Sequence, residues 1–216
     1  MNTTMIVNNL AGLLIVTSLL VIAASSTARA AQLYAVQSLV LVLIFLALAV
    51  SLNAHQLYWW AASAFVTKVV LVPIIMLKAL GGLDNKEELP GVLHPAWLVL
   101  LAALIVGLSC YAVSSVNIAV LADLKPALGV SLGHFLLGLV CIVSQRSILK
   151  QIFGFCMMEN GSHLTLALLA NKAPELVEIG IATDAVFAVL IMVVLVRKIH
   201  RTMHTLDVRQ LTALKG

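Results

Sequence analysis

Long apolar runs separated by short polar breaks set the pattern of this chain, and neither an alternating nor a narrow amphipathic period interrupts them. A helix needs about 20 apolar residues to cross the hydrocarbon core of a bilayer. On that measure the runs predict seven spans. They cover Met5 to Ala24, Gln32 to Leu52, Gln56 to Leu80, Ala96 to Val116, Pro126 to Ser144, Ser147 to Ala170 and Leu176 to Val196. The expected fold is therefore all-α, a polytopic membrane protein with seven transmembrane helices. Ala28-Arg29-Ala30 after the first run resembles a signal-peptide cleavage site. Residues 1–9 carry no Lys or Arg, however, whereas a secretory leader begins with positive charge, so the run reads as a first transmembrane helix.

Composition agrees with the pattern. Of 216 residues, 62% are hydrophobic and 10% charged, and the mean hydropathy is +1.10. A soluble domain carries roughly 25% charged residues, so this chain cannot clothe a globular surface. Seven spans also leave no room for a soluble catalytic domain, a nucleotide-binding fold or a nucleic-acid-binding module. Cys110, Cys141 and Cys156 are far apart, inside apolar runs, and form no CxxC pair. Neither an iron–sulfur cluster nor a zinc site is expected from them, and no cofactor or metal is expected in this chain.

The net charge of +4 matters through its distribution. One side of the predicted topology collects Arg29, Lys78, Lys86, Arg146, Lys150, Arg197, Lys198, Arg201, Arg209 and Lys215; the other has Lys125 and Lys172. Basic loops stay cytoplasmic, so the N-terminus is expected outside and the C-terminus inside. The tail from Arg197 to Gly216 is expected to lie on the cytoplasmic surface or to dock on a partner.

An internal correspondence divides the chain. Arg29 precedes Lys68 by 39 residues, and Arg146 precedes Asp184 by 38. With the fourth helix between them, the two units read as a parallel three-helix duplication or as a coincidence of spacing. The expected divisions are 1–95, 96–125 as a linking helix, 126–197, and a tail over 198–216.

Candidate chemistry lies in ionisable groups far from any helix end. A charge at a helix centre costs about 2.5–3.5 kcal/mol on insertion scales, and four predicted helices each place one there: Lys68, His134, Glu159 and Asp184. Ile152, Cys156, Glu159 and His163 share one stripe of the sixth helix, with Gly154 and Gly161 on another face suited to close packing. Glu159 and Asp184 read as proton- or ion-handling carboxylates, or as structural ones. Asp184 would pair with Lys68 or with a cation from another subunit. His163 is a relay or a structural partner of Glu159, and Cys156 an apolar filler. His134 adjoins Gly129-x-x-x-Gly133 and is either a satisfied core histidine or a relay. Pro73 frees the carbonyl of Val69 and weakens the third helix beside Lys68. These groups suit a proton path with its energy source elsewhere, hence a subunit of a larger complex; a stand-alone secondary transporter is the rival reading.

From Phe135-Leu136-Leu137-Gly138-Leu139 through Arg146-Ser147-Ile148-Leu149, Ile152-Phe153-Gly154-Phe155 and Met158-Glu159-Asn160-Gly161, the chain resembles the three-helix K subunit of respiratory complex I. Ala182-Thr183-Asp184-Ala185 and the ending Leu206-Asp207-Val208-Arg209 to Leu214-Lys215-Gly216 extend the resemblance over residues 130–216. Over its whole length the chain is similar to membrane subunits of formate-hydrogenlyase-type complexes. The resemblance implies a bacterial inner-membrane arm related to complex I. It also implies antiporter-like membrane partners and a cytoplasmic arm of nickel–iron hydrogenase and iron–sulfur subunits. The implied role is non-catalytic, in proton translocation coupled to formate oxidation and hydrogen evolution. A subunit of a multisubunit cation/proton antiporter shares the same K-like half. By this resemblance Asp184 stands where the family has its second membrane glutamate. Cys156 stands at the first, with Glu159 one turn further along the same stripe.

Overall fold

The computed structural model describes residues 3–81, 91, 93–115, 119–170 and 175–211, and all its regular elements are helical. In chain order they are α1 (Thr3–Ala23), α2 (Thr27–Ser51), α3 (Gln56–Gly81), α4 (Pro95–Ser114), a 3₁₀ segment (Ala119–Leu124), α5 (Lys125–Ser144), α6 (Ile148–Leu169), α7 (Glu175–Met203) and a short α8 (Val208–Leu211). The acidic loop residues Asp84, Lys86, Glu87 and Glu88 lie outside the described residues.

Local chemistry places the helix ends. The Ser26 hydroxyl accepts from Arg29 N at 3.2 Å and starts α2, ahead of the predicted Gln32, as an N-cap serine does. At the other end Asn53 takes φ 50°, a left-handed conformation that asparagine tolerates, and stops the helix. Pro95 occupies the first turn of α4, where its missing N–H costs nothing, and His94 Nδ1 accepts from Ala96 N at 3.3 Å.

Six described helices are long and apolar enough to cross a membrane: α1 to α5 and α7. That corrects the expected seven. The exception is α6, with 22 residues. Lys150, Gln151, Glu159, Asn160, Ser162 and His163 dilute its apolar run, and three of them (Lys150, Asn160 and His163) are buried inside the bundle. It is held by the other helices, above all by α5. A Cβ on Gly138 would stand 2.4 Å from Met158 N, and one on Gly161 2.5 Å from Phe135 N. Backbone against backbone at that spacing admits only glycine, as in small-residue packing between membrane helices. Gly129 brings α5 as close to Cys110 of α4, where a Cβ would stand 2.9 Å from the Cys110 Cα, and Gly133 packs less tightly on Val106.

The third helix is not regular. Phe65–Leu71 forms a π-helical turn, with Val72 N donating to Thr67 O. Pro73 has no N–H and its ring crowds the carbonyl four residues back, so the helix widens just ahead of it. The predicted weak point at Val69 falls inside this segment.

Two apolar cores fill the bundle. One gathers Val7 to Leu14 of α1, Val40 to Ala49 of α2, Leu57 to Ala64 of α3 and Leu164 to Leu168 of α6. The other gathers Val21 and Ile22, Ala30 to Tyr34, Val72 to Ala79, Leu149 to Met157 and Val189 to Val196. Between them, at the waist of the bundle, lie the buried polar side chains Ser18, Gln37, Ser38, Lys68, His134 and Asn160.

The end of the last span departs from expectation. α7 continues past the predicted Val196 to Met203, and His204 then turns the chain at φ 55°. Residues 205–211 fold back onto this chain's own α5–α6 turn. Ile148 N donates to Leu206 O at 3.2 Å and Val208 N to Arg146 O at 2.9 Å, and Arg146 forms an ion pair with Asp207.

Candidate functional site

Each of α1, α2, α3, α5 and α6 contributes one or two polar residues to the waist, and these meet. Lys68 reaches α6 from the π-turn and is fully buried. Its Nζ donates to Glu159 Oε1 at 2.7 Å and to Asn160 Oδ1 at 2.9 Å. Asn160 Nδ2 donates to Gln37 Oε1 at 3.1 Å and lies 3.4 Å from Ser38 Oγ. Gln37 Nε2 is 2.7 Å from His134 Nε2, and His134 Nδ1 is 2.8 Å from Ser18 Oγ. The Ser18 hydroxyl donates to the Leu14 carbonyl at 2.6 Å. An unbroken run of hydrogen bonds thus crosses the bundle from α6 to α1.

An unpaired charge buried in such a layer carries a desolvation penalty of several kcal/mol. The ion pair and the amide oxygen answer it for Lys68. Glu159 sits at the edge, its side chain 17% exposed, and opens onto a cavity of about 180 Å³ between α6 and α7. Ser162, His163, Leu166, Ile181 and Asp184 line the rest.

The five sequence-predicted residues are thus distributed unevenly. Lys68 pairs with Glu159, not with Asp184 as one expectation had it. Asp184 is exposed on α7 and forms no ion pair among the described residues; it shares the edge cavity with Glu159. His163 is buried, but neither ring nitrogen has a hydrogen-bond partner among the described residues. It packs against Phe45 and Trp60, with centroids at 4.9 and 5.1 Å, so it is not the structural partner of Glu159 that one reading made it. His134 joins the network and is satisfied at both nitrogens. Cys156 is buried among the apolar residues beside Met157.

Sequence reasoning missed Asn160, Gln37 and Ser18. The signal was present: each is an uncharged polar residue well inside an apolar run, at the depth of the charges. Attention to ionisable groups alone passes over them, although their hydrogen bonds join Lys68 to His134.

At the basic end of the bundle a larger cavity, about 570 Å³, lies between the ends of α1, α4 and α5. Lys150 Nζ donates there to the Ala24 and Ser25 carbonyls at 3.0 Å each, and Gln145 Nε2 donates to Ile22 O at 2.8 Å. Arg197 reaches Lys78 O at 3.2 Å. These contacts bring the ends of α1, α3, α5 and α7 to one face. Asp207, outside the spans, is held below the usual carboxylate range, first by its hydrogen bond from Arg146. Among the described residues no three His, Cys, Asp or Glu side chains converge as a metal site would require.

Residues 126–216 match the family of NADH-ubiquinone/plastoquinone oxidoreductase chain 4L. Along the whole of both chains, this sequence is 60% identical over 216 residues to hydrogenase-4 component E of Escherichia coli (strain K12) and to the same component of Shigella flexneri. An uncharacterised protein of Mycobacterium tuberculosis is 25% identical over 221 residues, covering 99% of this chain and 98% of its own. No solved structure matches.

Proposed function

The chain belongs to the hydrogenase-4 component E family, and from that premise we propose that it is a non-catalytic membrane-arm subunit of a complex-I-related hydrogenase. In this reading it contributes to proton translocation coupled to formate oxidation and hydrogen evolution. It is a multi-pass membrane protein with a complex-I-like C-terminal part. Its partners are antiporter-like membrane subunits, and through the arm the cytoplasmic nickel–iron and iron–sulfur subunits. The membrane is the bacterial inner membrane. The face that carries Arg146, Lys150 and Arg197 is cytoplasmic, by the rule that basic ends stay inside, and the N-terminus is periplasmic.

One observation carries the proposal: the Lys68–Glu159 pair at the waist, opening onto a cavity that Asp184 also lines. A carboxylate that shares a cation on one side and a cavity on the other can take up a proton and release Lys68, or lose it and recapture Lys68. Asp184 is the next acid across the cavity. Its exposed position also suits a neighbouring subunit, because a carboxylate left facing lipid at that depth is costly. His163 lines the same cavity, and in this reading it passes protons beyond Glu159. The middle of the bundle is filled by side chains bonded to one another, which favours this reading over a stand-alone transporter with a central solute site.

The test is formate- or hydrogen-driven proton movement in membrane vesicles, comparing wild type with Glu159→Gln and Asp184→Asn, with hydrogenase activity and assembly followed in parallel. Loss of proton movement in an assembled, active complex is the expected result. Unchanged movement in both variants would sink the proposal. Movement of sodium in place of protons would point to the antiporter alternative.

A further inference from the structure

The hydrogen bonds at the waist have a direction, and one end fixes it. Lys68 Nζ only donates, so Asn160 must turn its carbonyl oxygen toward it. The Asn160 amide nitrogen then faces Gln37, and Gln37 answers with its own oxygen. That leaves Gln37 Nε2 as a donor to His134 Nε2. A ring nitrogen that accepts carries no proton. The proton of His134 is therefore on Nδ1, which donates to Ser18 Oγ, while Ser18 donates onward to Leu14 O. Every donor points away from Lys68, and all five side chains are buried.

We propose that Asn160 and Gln37 are positioning residues through which Lys68 dictates the Nδ1–H tautomer of His134 and bars the doubly protonated ring. A protonated imidazole donates from both nitrogens. To accept from Nε2, Gln37 would have to turn, and its NH₂ would then meet the NH₂ of Asn160. If Asn160 turned as well, its NH₂ would meet the ammonium of Lys68. Either way two donors collide in a layer between two apolar cores, where an unmade hydrogen bond is most costly. Around the ring, α1 supplies Ser18, α2 supplies Gln37, and α3 supplies Lys68 through the two amides. The carboxamides carry orientation and not protons, so this chain is an interlock between α3 and α5 and not a conducting wire. Withdrawal of Lys68 from Asn160 would free both amides and, with them, the ring.

This goes beyond proton translocation, and its readout needs no proton to cross the membrane. The assembled complex is produced with ¹⁵N-histidine, labelled either at Nδ1 or at both ring nitrogens. The His134 signals are taken by difference against His134→Gln in solid-state NMR of native membranes. The wild type should show a protonated Nδ1 and a bare Nε2. Gln37→Glu places a carboxylate at Nε2 and should abolish the bare Nε2 signal. Asn160→Leu should give both tautomers in comparable amounts. A wild-type ring with bare Nδ1, or with both nitrogens protonated, overturns the proposal without reference to any variant. An assembled Asn160→Leu complex with the wild-type spectrum also overturns it.

Discussion

Lys68 and Asp184 stand about midway along two long apolar helices, at nearly the same distance from a preceding arginine, yet the fold treats them in opposite ways. Lys68 is enclosed by α2 and α6, its ammonium answered by Glu159 and Asn160. Asp184 faces outward from α7 and ends in a cavity at the edge of the bundle. The contrast follows from packing. α3 is widened by a π-turn packed beside α2, and α6 answers the ammonium it presents, whereas α7 lies at the edge and among its described residues buries only Ala185, Val189, Val193 and Val196. A buried charge in a closed network is bound to stability; an exposed one at the same depth is free for exchange with whatever adjoins it.

The sharpest way to break this comparison is to remove each charge in turn. Lys68→Met should cost about 3–5 kcal/mol, as loss of one partner of a buried pair does, and should sharply lower the yield of assembled complex. Lys68→Met with Glu159→Gln should recover much of that loss, since no lone charge remains, which a double-mutant cycle of unfolding in detergent would measure. Asp184→Asn should leave the same unfolding curve unmoved. A loss equal to that of Lys68→Met would erase the distinction.

Glycines sharpen the same contrast at a lower energy. Gly138→Ala drives a methyl into the backbone of α6 and should destabilise by about 1–3 kcal/mol or more. Gly180 of α7 meets nothing within 4 Å, so Gly180→Ala should be neutral or slightly stabilising. Thermal unfolding of the two variants side by side decides it.

His163 tests the boundary between the regions. Its ring is buried among aromatics with both nitrogens unpartnered, and an unsatisfied buried polar group costs about 1–3 kcal/mol. His163→Phe should therefore hold or raise stability. If the ring serves the edge cavity, proton movement in vesicles should fall in the same variant.

The smallest effect belongs to the tail. Asp207 titrates below its unfolded value because Arg146 holds the charged form. Its contribution is therefore present above the usual carboxylate pKa of about 3.9 and is lost as pH falls through the lower, folded value. Proteolysis of the tail should stay slow at neutral pH and quicken only under strongly acid conditions. Asp207→Asn should show the faster cleavage already at neutral pH.

Length and apolarity by themselves determined the helices, to within a few residues at most ends, and the depth of the four charges, because each of these depends on a local run of side chains. Pro73 marked the place where α3 departs from regular geometry for the same reason. The sequence over-counted the apolar spans by one, since α6 draws its place in the bundle from its neighbours and not from its own hydropathy. What only the tertiary structure decided was facing and partnership. It gave Lys68 to Glu159, left Asp184 open and His163 unbonded, and folded the tail onto Arg146. It also recruited Gln37, Asn160 and Ser18 from helices far apart in the chain. An apolar run does not say which side of its helix will be enclosed, because that is set by close contacts such as Gly138 on Met158 and Gly161 on Phe135, where two backbones meet across the fold.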